Sequence, residues 1–137
     1  MQQRLMTLRI IWGSMFMSQL VFLGIVLAIG KNMPVAEPAA MHLLYYLAIL
    51  MLVIVVPVGF FVRRRFYNKG RGDDGLVSPA QYASGNIIFW ASCEGVGFAA
   101  MVFGMLNRGQ GPVLFVAAVA IALLVVSFPT GSDVRWD

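Results

Sequence analysis

Glu94 stands in WASCEGVGF, residues 90 to 98, a carboxylic acid inside a stretch otherwise apolar enough to lie in lipid. An ionised carboxylate at the centre of a membrane helix costs about 2.5–3.5 kcal/mol on insertion scales, so such a group needs a partner or a proton. Desolvation with no cation on its own helix favours the uncharged form. The expectation is a neutral acid that donates a hydrogen bond. Other reactive groups are few. One histidine, His42, and one cysteine, Cys93, exclude an internal disulfide, a cysteine-rich metal site, and a zinc or bis-histidine haem site built by this chain alone. Cys93 reads as a small buried apolar residue. With no serine–histidine pair, aspartate pair within an apolar run or histidine-rich segment, the chain is not expected to be an enzyme or to hold a metal or cofactor.

The elements that position Glu94 are apolar runs. The chain is 60% hydrophobic and 12% charged, where soluble domains carry about 25% charged residues. Four runs stand out, Ile10 to Gly30, Leu43 to Val62, Gly85 to Leu106 and Val113 to Phe128. A helix of roughly 17–25 residues crosses a hydrocarbon core about 30 Å thick. The fold class expected is therefore all-α: a polytopic membrane protein of four transmembrane helices in two hairpins, with no soluble domain. Residues 1–137 form one domain, with helices at about 8–30, 42–63, 79–107 and 112–128. The first run follows a basic segment, MQQRLMTLR, but is longer than the apolar core of a signal peptide, roughly 7–15 residues, and is read as a retained helix. Pro112 and Pro129 set the limits of the fourth. Between runs two and three, YNKGRGDDG reads as a glycine-rich charged linker, and Ser78-Pro79-Ala80-Gln81 has the form of a capping box.

Basic residues orient the helices. Arg4, Arg9, Arg63, Arg64, Arg65, Lys69, Arg71 and Arg135 fall on one side and only Lys31 and Arg108 on the other, which predicts a bacterial-type inner membrane with both termini cytoplasmic. The net charge of +4 thus reports topology, and nucleic acid is not expected as a partner. Arg63, Arg64 and Arg65 are expected at the inner headgroups, touching lipid or an acidic partner.

Depth nominates partners for Glu94. Helices one and three run in the same direction, which places Ser18 and Gln19 level with it. On helix two, Pro57 lacks the N–H that would bond the carbonyl of Val53, leaving an acceptor near mid-membrane. Glu94, Gln19, Ser18 and Val53 are therefore the candidate ion- or proton-binding group. Two readings remain open for them: helix-to-helix glue, or a site that loads and unloads a proton. Ala91, Gly95 and Ala99, with Gly97 nearby, form a small-residue set expected to face another helix at close range. Trp12, Trp90 and Trp136 read as interface anchors or packing, with Trp90 between helices. IIWGSMF at residues 10–16 faintly repeats in IIFWASCE at 87–94.

The stretch CEGVGFAAMVFGML resembles the carboxylate helix of rotor-ring proteolipids, the c subunits of rotary ATPases, and of small bacterial four-helix membrane proteins like them. In that family the carboxylate binds the transported proton or sodium ion, a role that the resemblance gives to Glu94. The second run has a single glycine in LAILMLVIVVPVGFFV, and the family's Arg-Gln-Pro loop signature is absent. Two functions follow as expectations. The first is a non-catalytic helical subunit of a larger membrane assembly, with the lipid bilayer and other membrane subunits as partners. The second is a proteolipid-like protein that translocates protons or ions through Glu94.

Overall fold

The computed structural model describes residues 2–34, 37–107 and 112–135. Over these the protein is all-α, with α1 Gln2–Ile29, α2 Pro38–Gly70, α3 Pro79–Leu106 and α4 Val113–Val126. Prolines set three of the boundaries. Pro38 and Pro79 open α2 and α3, where the missing N–H has no intrahelical partner to lose, and Pro129 closes off α4. Trp136 and residues 108–111 of the NRGQG turn, including Arg108, lie outside the described residues.

Three helices, α1 to α3, are long and apolar enough to cross a membrane. The fourth has 14 residues, about 21 Å at 1.5 Å per residue, short of a hydrocarbon core about 30 Å thick. An extended tail continues its course. Irregular backbone is tolerated at membrane depth only where protein covers it and satisfies its polar groups. The two indoles do this for the end of α4. Trp12 Nε1 donates to the Leu124 carbonyl at 2.8 Å, and Trp90 Nε1 to the Ser127 carbonyl at 3.2 Å. Arg9 Nε reaches the Pro129 carbonyl at 3.4 Å, with its guanidinium over the Phe128 ring. The tryptophans of the faint repeat thus share one task, on the carbonyls a helix C-terminus leaves open.

The packing keeps the second of the two expected hairpins, α3 with α4, and corrects the first. α3 is central and touches α1, α2 and α4, whereas α1 and α2 do not touch each other. On α1 the inward side chains are Leu8, Trp12, Met15, Gln19, Phe22 and Val26, alternately four and three apart, the spacing of a coiled-coil seam. α4 covers α3 from Gly104, which meets Leu114, to Trp90. Around α3 the order is α1, α4, α2, and the remaining sector is open.

Two local expectations also change. α2 runs on past its expected end at Arg63, through YNKG to Gly70, because Tyr67 stacks on Tyr82 of α3 at 5.5 Å and anchors that extra length. The capping box does not form: Ser78 precedes α3, but its side chain makes no capping bond. Residues 71–78 are a packed loop. Val77 is fully buried, its N–H bonding the Asp133 carbonyl at 2.8 Å while its carbonyl accepts from Arg135 N at 3.0 Å. The start of α1, this loop and the tail therefore lie at one end of the bundle.

Arg135 Nε also donates to Asp74 Oδ2 at 2.8 Å. That hydrogen bond, before all else, holds the Asp74 carboxyl below its ordinary value. A lowered carboxyl value means that the clasp contributes above the ordinary carboxylate range and is lost as pH falls through the lowered value. Hydrogen exchange at the Val77 and Arg135 amides should stay slow at pH 7 and 5 and quicken only in stronger acid. Acceleration already between pH 7 and 5 would show that Asp74 does not hold the tail.

Candidate functional site

Ser18 and Glu94 meet where α1 crosses α3. The Ser18 Oγ lies 2.8 Å from Glu94 Oε1 and 2.8 Å from the Met15 carbonyl oxygen one turn back. A serine hydroxyl has one proton and two lone pairs, and here it is the donor toward both oxygens, so its proton serves one of them or is shared between them. Phe22 meets Phe98 edge-on at 5.3 Å one turn further along, fixing the parallel register of the two helices.

Gln19 is buried completely, and neither its Oε1 nor its Nε2 has a hydrogen-bond partner within the described protein. Its amide lies on Gly97, where an added Cβ would stand 2.7 Å from Gln19 Oε1. The absence of a side chain at 97 creates that seat. Ser18 on Glu94 and Gln19 on Gly97 are adjacent contacts, one residue apart on α1 and three apart on α3. Together they set oxygens of a hydroxyl, a carboxyl and an amide into one narrow region between two helices. Such a group can pass or hold a proton, or bond two helices together.

Val53 does not join the group. Its side chain is 62% exposed, on a helix that lies on the other flank of α3 from α1. Pro57 is exposed as well, so the carbonyl it frees belongs to the outer side of α2. The small-residue row is also corrected within the chain. Ala91 and Gly95 are exposed, Ala99 is half-buried, and a Cβ on Gly95 would meet nothing within 4 Å. Gly97 of the expected set does make a close approach, against Gln19, and further ones fall at Gly104 against Leu114 and Gly59 of α2 against Ser92. The exposed row instead lines the sector of α3 left open between α1 and α2, which do not touch each other. Glu94, half-buried, stands at its α1 edge.

The basic triplet divides. Arg64 and Arg65 are exposed, whereas Arg63 is half-buried, 5.2 Å from the Tyr67 ring centre and 5.4 Å from that of Phe89. Arg63 sits one face further round the helix, toward α3. It belongs to a polar cluster that the hydropathy pattern conceals. Arg63 Nε and Asn86 Nδ2 both donate to the Tyr67 hydroxyl, at 3.3 and 2.7 Å, and Asn86 Nδ2 also reaches the Tyr82 carbonyl at 2.9 Å. Asn86 is completely buried. The signal in the sequence was the spacing Gly59, Arg63, Tyr67 and Gly70, which marks one helical face running past the last apolar residue of α2. Cys93 is buried and unpaired. Among the described residues no group of three or more His, Cys, Asp and Glu could hold a metal ion.

Comparison of the chain with protein-family models, curated proteins and solved structures finds no match.

Proposed function

We propose that this protein is a small integral membrane protein of a bacterial-type inner membrane, with both termini cytoplasmic, acting as a non-catalytic helical subunit of a larger membrane assembly. The observation that supports it best is the open sector of α3. In lipid, helices associate through close packing and hydrogen bonds, and small residues permit that approach. Here the exposed row of Ala91 and Gly95 lies on the sector of α3 that none of the other helices covers. A half-buried carboxyl stands at its edge, where hydrocarbon offers no hydrogen-bond partner beyond Ser18. A helix of another subunit laid against this sector would cover both. α4 and the tail complete a fourth crossing in this reading.

A second reading rests on the same region. The Ser18–Glu94 contact and the unpartnered amide of Gln19 favour a carboxyl that exchanges a proton, the role that the resemblance to rotor-ring proteolipids gives to Glu94. Gly95→Leu tests the first reading. After gentle solubilisation of native membranes, the wild-type chain should run in a larger heteromeric complex. The variant, with free space around position 95, should insert and fold but leave that complex. A wild-type monomer would overturn the subunit reading, and a homomeric ring would favour the second.

A further inference from the structure

We infer a phospholipid site at the end of the bundle where α1 and α3 begin. The two helices touch at mid-depth through Ser18 and Glu94 and part toward their first turns, leaving a cleft of about 360 Å³. Its walls are apolar, with Leu8 and Ile11 on α1 facing Ala83 and Ile87 on α3. Arg4 and Thr7 stand at the N-terminal end of its α1 wall. The cleft exists because alanine stands at positions 80 and 83, where a larger side chain would close it.

Shape and charge together choose the occupant. The cleft is open and almost wholly apolar along its length, which suits one acyl chain. Arg4 is exposed and has no acidic partner among the described residues. Arg4 stands seven residues before Ile11 on α1, about 10 Å of helix, toward the side from which a lipid with its chain between Ile11 and Ile87 would present its phosphate. The occupant is therefore an anionic phospholipid, its acyl chain in the cleft and its headgroup on Arg4. Thr7 already donates to the Gln3 carbonyl at 2.9 Å, which leaves its oxygen as an acceptor only and the headgroup contact to Arg4. The site needs the chain to lie in a membrane but does not depend on any partner subunit.

Native mass spectrometry of the protein from mixed micelles of phosphatidylglycerol and phosphatidylcholine tests the site. The wild type should retain one lipid per chain, with phosphatidylglycerol preferred. Arg4→Gln should reduce that preference about fivefold, the effect of one basic residue near an anionic surface. Ala83→Leu and Ala80→Leu should abolish retention of either lipid, while Arg64→Gln and Arg65→Gln should leave it unchanged. Folding is checked by elution and by the fluorescence of the buried Trp90, and Ala80→Leu decides if Ala83→Leu does not fold. Retention unchanged in a folded Ala80→Leu protein, or preference lost only on replacing Arg64 or Arg65, would overturn the site. A wild-type chain that stays soluble without detergent would instead overturn the membrane reading.

Discussion

Replacing Gly97 by leucine is expected to detach α1 from α3. The first carbon of the new side chain would stand 2.7 Å from Gln19 Oε1 and 3.1 Å from its Cδ and Nε2. Gln19 is completely buried in the α1 seam, between the inward positions of Met15 and Phe22, so its amide has no open space to enter. Overpacking of this kind costs about 1–3 kcal/mol and occasionally more. Here it falls at the centre of the seam that holds α1 on α3. Glu94 is one turn from Gly97, so the Ser18 contact should be lost with it. The thermal midpoint in mild detergent should fall, and α1 should become open to protease, whereas Gly95→Leu should change neither. Adding Gln19→Ala to Gly97→Leu restores space and should recover much of the loss, a coupling that a double-mutant cycle measures. Equal tolerance of leucine at 95 and 97 would show that α1 does not pack on α3 in this register.

The contrast between those two glycines shows what was legible in the sequence and what was not. The spans of α1 to α3 follow from the length of apolar runs, because a bilayer demands that length. The depth of Ser18 beside Glu94 was also legible, since parallel helices entering from one side keep their residues level. The direction in which each helix faces was not. When a helix is apolar all round, lipid-facing and protein-facing positions have the same composition, and Gly95 and Gly97, about 200° apart on the helix, look alike. The seam of Leu8, Trp12, Met15, Gln19, Phe22 and Val26 was the available signal, because its spacing is regular and a glutamine at its centre belongs inside rather than in lipid. Pro57 misled for the same reason. A missing N–H marks a free carbonyl but not the side of the helix on which it lies. The tail was the least legible part. Its burial depends on two indoles and one arginine from α1 and α3, contacts with no local pattern in residues 127–135.

Glu94→Gln separates the two functions. The amide of glutamine can still bond Ser18 Oγ, which lies 2.8 Å from the present carboxyl oxygen, by accepting from it or donating to it. Assembly and α1–α3 packing should therefore survive the change under either reading. An amide does not release a proton in the physiological range, so only a proton-carrying site loses function. In that case, proton flux into vesicles holding the native assembly should fall to background. If Glu94 only joins helices, flux or partner activity should be unaffected, and the sensitive variant should be Ser18→Ala, which removes the hydroxyl and leaves the carboxyl without a partner at mid-membrane. The penalty for such an unpaired buried group is about 1–3 kcal/mol. Infrared difference spectra address the premise that both readings share. A protonated carboxyl band should be present at pH 7, vanish in Glu94→Gln and shift in Ser18→Ala. A Glu94 that is fully ionised at pH 7 in the assembled protein would overturn both, because a charge would then have to be held in hydrocarbon with no cation paired to it among the described residues.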